Sequence, residues 1–116
     1  MGETALHQRS CEACEGKTRA LTPDEQLRLR RQIPDWEIVD NHHIARTFKF
    51  KGYMDGLSFV NAAAEIAEDE RHHPDLHLSW GKVSIEIYTH KVNGLTENDF
   101  ILAAKIDMLG ELPESP

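Results

Sequence analysis

The sequence predicts an α+β domain: a two-layer sandwich in which three helices pack on one face of a four-stranded antiparallel sheet. Three observations predict it. The apolar spacing switches between helical and alternating periods and gives the order α-β-β-α-β-β-α. The strands come in two pairs, each joined by a short turn, and such pairs are antiparallel hairpins. Helices amphipathic on one side must then cover one face of that sheet.

The elements follow in order. Thr22-Pro23-Asp24-Glu25 starts the first helix, with Thr22 as cap, Pro23 at the first helical position and Glu25 closing a capping box. Leu27 and Ile33 continue it and Pro34 ends it. Trp36 and Ile38, then His42 to Phe50, form two strands about an Asp40-Asn41 turn. In the second strand Ile44, Arg46, Phe48 and Phe50 share a side, which Arg46 keeps from being cleanly apolar. Tyr53 to Arg71 reads as the longest helix, with Leu57, Val60, Ala64 and Ala67 as its buried stripe. Pro74 stops it and biases His73 toward extended backbone. Leu76, Leu78 and Trp80 alternate with polar residues, as do Val83, Ile85 and Ile87 beyond Gly81. Thr96 caps the last helix with Asp99 as its third residue. Phe100, Ile101, Ala104 and Met108 form its apolar side, and Gly110 and Pro113 end it.

At 116 residues this is one domain. Residues 21–112 form it, 1–20 are expected to be an extended or partly disordered leader, and 113–116 are a tail. The chain is 40% hydrophobic and 28% charged, ordinary for a globular protein. Its net charge of -7 disfavours nucleic acid and anionic membrane as partners, since phosphate binding needs clustered Lys and Arg. Arg28, Arg30 and Arg31 read as the solvated face of the first helix. No apolar run approaches a bilayer span and residues 1–10 lack a secretory apolar region, so a cytoplasmic location is expected.

The hairpin about Gly81 determines what happens to the histidines. Apolar residues must meet apolar residues across one face, because a one-residue slip flips every side chain. Loops of Trp80-Gly81 or Gly81-Lys82 both satisfy this. The second places glycine first in a type II′ turn and is the register preferred from sequence. It pairs Trp80 with Val83, Leu78 with Ile85 and Leu76 with Ile87, and brings His73 opposite His90. The other register shifts this by two residues and still leaves His90 near His72 and His73. Glu68 stands four residues before His72, where a shared helix face lets a carboxylate orient an imidazole. His72, His73 and His90 are therefore the candidate catalytic cluster, suited to proton transfer near neutrality. His42, His43 and His77 read as surface residues.

Zinc is the competing use of such histidines. No Cys or carboxylate stands at a familiar zinc spacing near them, and adjacent histidines diverge on an extended backbone, so no metal is expected. Cys11 and Cys14 form one C-x-x-C pair in the leader, with no strand before it as a redox motif requires.

The run Glu68-x-x-x-His72-His73-Pro74, then Trp80, His90 and Asp99, resembles the signature of the pterin-4a-carbinolamine dehydratases, also known as dimerisation cofactors of a homeodomain transcription factor. Trp36-Glu37, Phe48-x-Phe50 and Gly94-Leu95-Thr96-Glu97-x-Asp99 are similar to the family as well, and the likeness runs from about Leu21 to Leu109. The Cys11-Glu-Ala-Cys14 leader resembles bacterial members. The resemblance implies dehydration of 4a-hydroxytetrahydropterin to quinonoid dihydropterin, in the recycling of tetrahydrobiopterin after aromatic amino-acid hydroxylation. It implies no metal and no cofactor, the pterin being substrate. It places catalysis on His72, His73 and His90, with the pterin against His72, His73, Pro74 and Thr89 to Val92, Lys91 included. Arg71 and Lys91 stand where animal members carry acids, which adds positive charge beside the pocket. Asp99 has a sufficient structural task as a helix acid and is not counted as catalytic.

A binding or dimerisation module is the alternative from another class, and a role with another pterin such as the molybdenum cofactor is a third. Intact His72, His73 and His90 favour the enzyme. The strand from His42 to Phe50, with two phenylalanines, makes a poor open edge. That strand, the small size of the chain and the resemblance together predict a homodimer at least, with a tetramer open.

Overall fold

The computed structural model describes residues 5–8 and 19–110. The elements are α1 (Pro23–Arg30), β1 (Glu37–Val39), β2 (His43–Lys49), α2 (Tyr53–Glu70), β3 (Asp75–Ser79), β4 (Lys82–Ile87) and α3 (Glu97–Gly110), with 3₁₀ turns at Leu6–Gln8 and His90–Val92. The four strands form one antiparallel sheet in the order β1-β2-β4-β3. The predicted α+β architecture is the observed one.

Local chemistry sets the boundaries. Thr22 Oγ1 accepts the Glu25 N–H at 3.2 Å, and the Glu25 carboxylate accepts the Thr22 N–H at 2.9 Å, which completes the capping box. Asp40 and Asn41 both hold φ of 54°, the pair of left-handed residues that a type I′ turn requires. β1 therefore returns directly as β2, with Val39 opposite His43.

The β3–β4 hairpin corrects the preferred register. Ser79 pairs with Lys82, Leu78 with Val83 and Leu76 with Ile85, so the loop is Trp80-Gly81. Gly81 takes φ of +80° at the second central position, where a type II turn needs glycine. Its carbonyl accepts the Phe50 N–H at 2.9 Å, which ties the turn to the end of β2. Trp80 consequently belongs to the turn and is 73% exposed instead of lying on the apolar face.

The core lies between sheet and helices. Ile44 and Phe48 of β2 and Val83, Ile85 and Ile87 of β4 point into it. Phe59 of α2 meets Phe48 with ring centroids 4.6 Å apart. The buried stripe of α2 is Gly56, Phe59, Ala63 and Ala67, turned by about one residue from the expected one, and Ala64 is exposed. Gly56 explains the turn: a Cβ there would lie 2.9 Å from Leu78 Cδ1, so glycine lets the helix settle onto β3. α3 is buried through Phe100–Ala104 and again at Ile106, because α1, α2 and the turn at Leu6–Gln8 all pack on it. Leu6 is itself buried, and its N–H donates to Gln32 Oε1 at 3.0 Å. That part of the expected leader belongs to the fold. Cys11, Cys14 and the tail lie outside the described residues.

Two arginines do more than sequence reading assigned. Arg46 does sit on the core side of β2, where its guanidinium donates to Asp107 Oδ1 at 2.7 Å and lies 4.1 Å from the Phe48 ring centre. Trp36 Nε1 donates to the same oxygen at 2.8 Å. Burial pushes the Asp107 carboxyl above its ordinary range, against the pull of Trp36 and Arg46. Arg30 donates to the Trp36 and Pro34 carbonyls and holds the turn after α1, so it is not merely solvated. β2 is an interior strand, paired on both sides, which removes the edge argument made for it. The edges are β1 and β3, both short, and β3 turns Asp75, His77 and Ser79 to solvent.

Candidate active site

α2 ends just before the histidines, and the way it ends sorts them. Arg71 adopts a left-handed backbone, φ 56° and ψ 37°, and the His72 N–H reaches back to the Ala67 carbonyl at 3.1 Å. This is a Schellman closure with arginine where glycine is usual. His72 has therefore left the helix, and the expected Glu68–His72 face does not exist. Glu68 Oε1 instead meets His73 Nε2 at 2.8 Å, with both side chains exposed. Solvent screening limits that pair to about 0–1 kcal/mol.

His72 turns inward and is 7% exposed. Its Nε2 donates to Asp99 Oδ1 at 2.5 Å. Asp99, fully buried, sits in the first turn of α3. Its Oδ2 accepts the Thr96 N–H at 2.8 Å and the Thr89 hydroxyl at 2.9 Å. Thr89 Oγ1 and Thr96 Oγ1 lie 2.8 Å apart, and since Thr89 gives its proton to Asp99, Thr96 donates to Thr89. Asp99 thus performs the capping task read from the sequence and also anchors His72. A carboxylate only accepts, so Nε2 carries the imidazole proton and Nδ1 is left for further exchange. The observed register, continued three residues past its last pair of Asp75 with Glu86, sets His72 across from Thr89. That register was the signal that could have found the connection.

His90 opens the 3₁₀ turn His90–Val92 and is exposed. The turn is clamped at its base, where Thr89 N donates to Gly94 O at 2.8 Å and Gly94 N to Thr89 O at 3.4 Å. Lys91 is exposed on it and Val92 half-buried. Pro74, half-buried, leads from His73 into β3. Thr89 and His72 therefore meet at one buried carboxylate, while His73 and His90 stand next to them in the chain, facing solvent. No hydrogen bond joins one of these three imidazoles to another among the described residues.

Sequence reading missed His42. Its Nε2 lies 3.0 Å from Asn93 Oδ1 at the end of the His90 turn, and its ring centre is 4.4 Å from that of Tyr88. The pairing of Ile44 with Ile87 brings it there, and no local pattern announces that β2 lies beside β4. Among the described residues, no group of three or more His, Cys, Asp or Glu is placed to hold a metal ion. None of the described helices is long and apolar enough to cross a membrane.

The family model for pterin 4 alpha carbinolamine dehydratase matches residues 19–109, a span that takes in every residue of this site. The chain belongs to that family. A protein of Rubrobacter xylanophilus named for this dehydratase is 46% identical over 104 residues, covering 90% of the present chain and 97% of its own length. Another so named, from Alkaliphilus metalliredigens, is 45% identical over 103 residues, 88% of this chain and 93% of that one. The crystal structure of a transcriptional coactivator/pterin dehydratase from Brucella melitensis superposes with a TM-score of 0.73 at 34% identity, over 77% of this chain and 96% of that chain. Pterin carbinolamine dehydratases are hydro-lyases, and this chain is an enzyme of that class.

Proposed function

We propose that the chain dehydrates a 4a-hydroxytetrahydropterin to the quinonoid dihydropterin, using its own histidines and no metal or cofactor. The C4a–O bond breaks, a ring nitrogen loses its proton, and water leaves. One group must protonate the departing hydroxyl while another accepts the nitrogen proton. His73 and His90 are the acid–base pair in this reading, because both are exposed and able to meet a substrate. His72 completes the catalytic group from behind, fixed by Asp99. The pterin lies against His72, His73 and Pro74 on one side and the turn from Thr89 to Val92 on the other, with Glu68 and Lys91 at its rim. Thr89 serves from beneath, since it is buried and its hydroxyl is committed to Asp99.

The single observation that carries this reading is the buried His72–Asp99–Thr89 connection, which joins two histidine-bearing segments 18 residues apart in the chain, from His72 to His90. The physiological setting that fits is tetrahydrobiopterin recycling beside an aromatic amino-acid hydroxylase in the cytoplasm. The enzyme works as a homodimer or homotetramer in this reading, and light scattering on a dilution series tests that. The reaction is tested by adding protein to a hydroxylase that generates the 4a-hydroxy compound and following its decay. Protein stripped by exhaustive chelation should accelerate the decay as well as untreated protein. Activity that disappears with a stoichiometric metal would return the histidines to the zinc reading.

A further inference from the structure

The His90 side chain is held in an unusual way. Among the described residues no hydrogen bond or ion pair secures it. Its ring instead lies against Tyr88, with centroids 4.2 Å apart and planes inclined at 34°. Tyr88 in turn lies against His42 at 4.4 Å and 39°. His42 also reaches the far end of the His90 turn at Asn93, which holds a left-handed backbone of φ 50°. One imidazole therefore touches both what the His90 ring rests on and what ends the His90 turn.

The hydrogen bonds fix the protons. Asn93 Oδ1 only accepts, so His42 Nε2 is the donor. In neutral His42 the other nitrogen, Nδ1, is then an acceptor, and the His43 Nδ1 found 3.1 Å away donates to it. His42 ends the connection from Asp40 to His42, where its N–H donates to the Val39 carbonyl at 2.9 Å, and the pairing of β2 with β4 sets it beside Tyr88. The β1–β2 hairpin thus braces a turn that projects into solvent.

We propose that His42 is a positioning residue for the dehydration, holding His90 in place through the Tyr88 ring and the Asn93 side chain. This rests on the reading that His90 acts in that reaction. Aromatic pairs of this kind contribute only modestly to stability, but a reacting group displaced by about 1 Å can lose roughly 100-fold in rate.

The test has two arms. In NMR spectra the His90 ring protons of the wild-type protein should be shifted by the Tyr88 ring and show cross-relaxation with it, and His42→Ala should move them toward unstructured values. In kinetics His42→Ala should lower kcat by about 10- to 100-fold with little change in KM and an unfolding midpoint close to wild type. His42→Gln, which keeps the donor to Asn93, and His42→Phe, which keeps the ring, should each recover part of the loss. His77→Ala, on the exposed edge strand, should do neither. A His42→Ala protein whose His90 resonances are unmoved overturns the proposal, and a fall in kcat alongside would mean that His42 acts on substrate directly. Absence of turnover in the wild type would refute the proposed reaction alone, since the spectra decide the positioning without it.

Discussion

Replacing Asp99 separates the structural and chemical parts of the account. Its carboxylate takes three hydrogen bonds in a fully buried place, from His72 Nε2, the Thr89 hydroxyl and the Thr96 N–H. Asp99→Ala would strand at least the His72 and Thr96 donors, at about 1–3 kcal/mol each. That is a large share of the roughly 5–15 kcal/mol that holds a small domain together, so the alanine variant is expected to fold poorly. Asp99→Asn is the informative change. Its amide oxygen can still serve Thr96 and Thr89, but its NH₂ then faces the protonated nitrogen of His72. The imidazole must give up that bond or move its proton to Nδ1. Losing one charge-assisted bond, or exchanging it for a neutral one, costs about 1–2 kcal/mol. With a urea dependence of about 1.5 kcal/mol per molar, the midpoint should fall by roughly 1 M. Trp36, buried beside the core, reports the transition by fluorescence. The turnover should fall further than stability explains, by about 10- to 100-fold, because the ring behind the site is turned or carries its proton on the wrong nitrogen. An Asn variant with wild-type midpoint and wild-type rate would refute the anchoring of His72 by Asp99.

Two further changes test the frame. The Arg19 guanidinium bonded to Glu25, with the Thr22 N–H, holds the Glu25 carboxyl at about 2 instead of the ordinary 4.5. A depressed carboxyl contributes stability that is full above its unfolded value and is lost as pH falls from about 4.5 toward about 2. The difference in urea midpoint between wild type and Glu25→Gln should therefore narrow on going from pH 7 to pH 3, and an unchanged difference would contradict it. Arg71→Gly places glycine where the backbone is left-handed, and should raise stability by about 0.5–1 kcal/mol by the same unfolding measurement. A loss of stability would mean that the Arg71 side chain contributes more than its backbone strain costs.

Where the sequence could be read and where it could not follows physical lines. Thr22-Pro23-Asp24-Glu25 and Asp40-Asn41 carry their geometry within four residues, so the first helix and hairpin were legible. The Gly81 turn was not: the expected register makes three apolar pairs and the observed one two, with Trp80 left in the turn, so apolar matching alone points to the wrong loop. The bond from Phe50 N to Gly81 O belongs to the observed one, and it comes from another hairpin. Glu68 misled for a related reason: the four-residue rule holds only while the backbone stays helical, and Arg71 leaves it. Strand pairing did bring the segments of His72 and Thr89 together, as their shared bond to Asp99 shows. The carboxylate behind His72 was not legible, because it lies 27 residues away and its capping task already explained it. Leu6 was invisible as core, because with only Ala5 beside it in a polar stretch it sets up no apolar period.

One measurement directly tests whether His73 and His90 move the protons in a metal-free dehydration. A 4a-hydroxytetrahydropterin is generated in situ by a hydroxylase, and its decay is timed with wild-type protein, with His73→Ala, His90→Ala double-variant protein, and with none. The wild type should accelerate the decay well above the spontaneous rate, and the double variant should lose on the order of 10²–10⁴-fold of that acceleration, down to the spontaneous floor. A double variant as fast as the wild type would contradict the histidine mechanism.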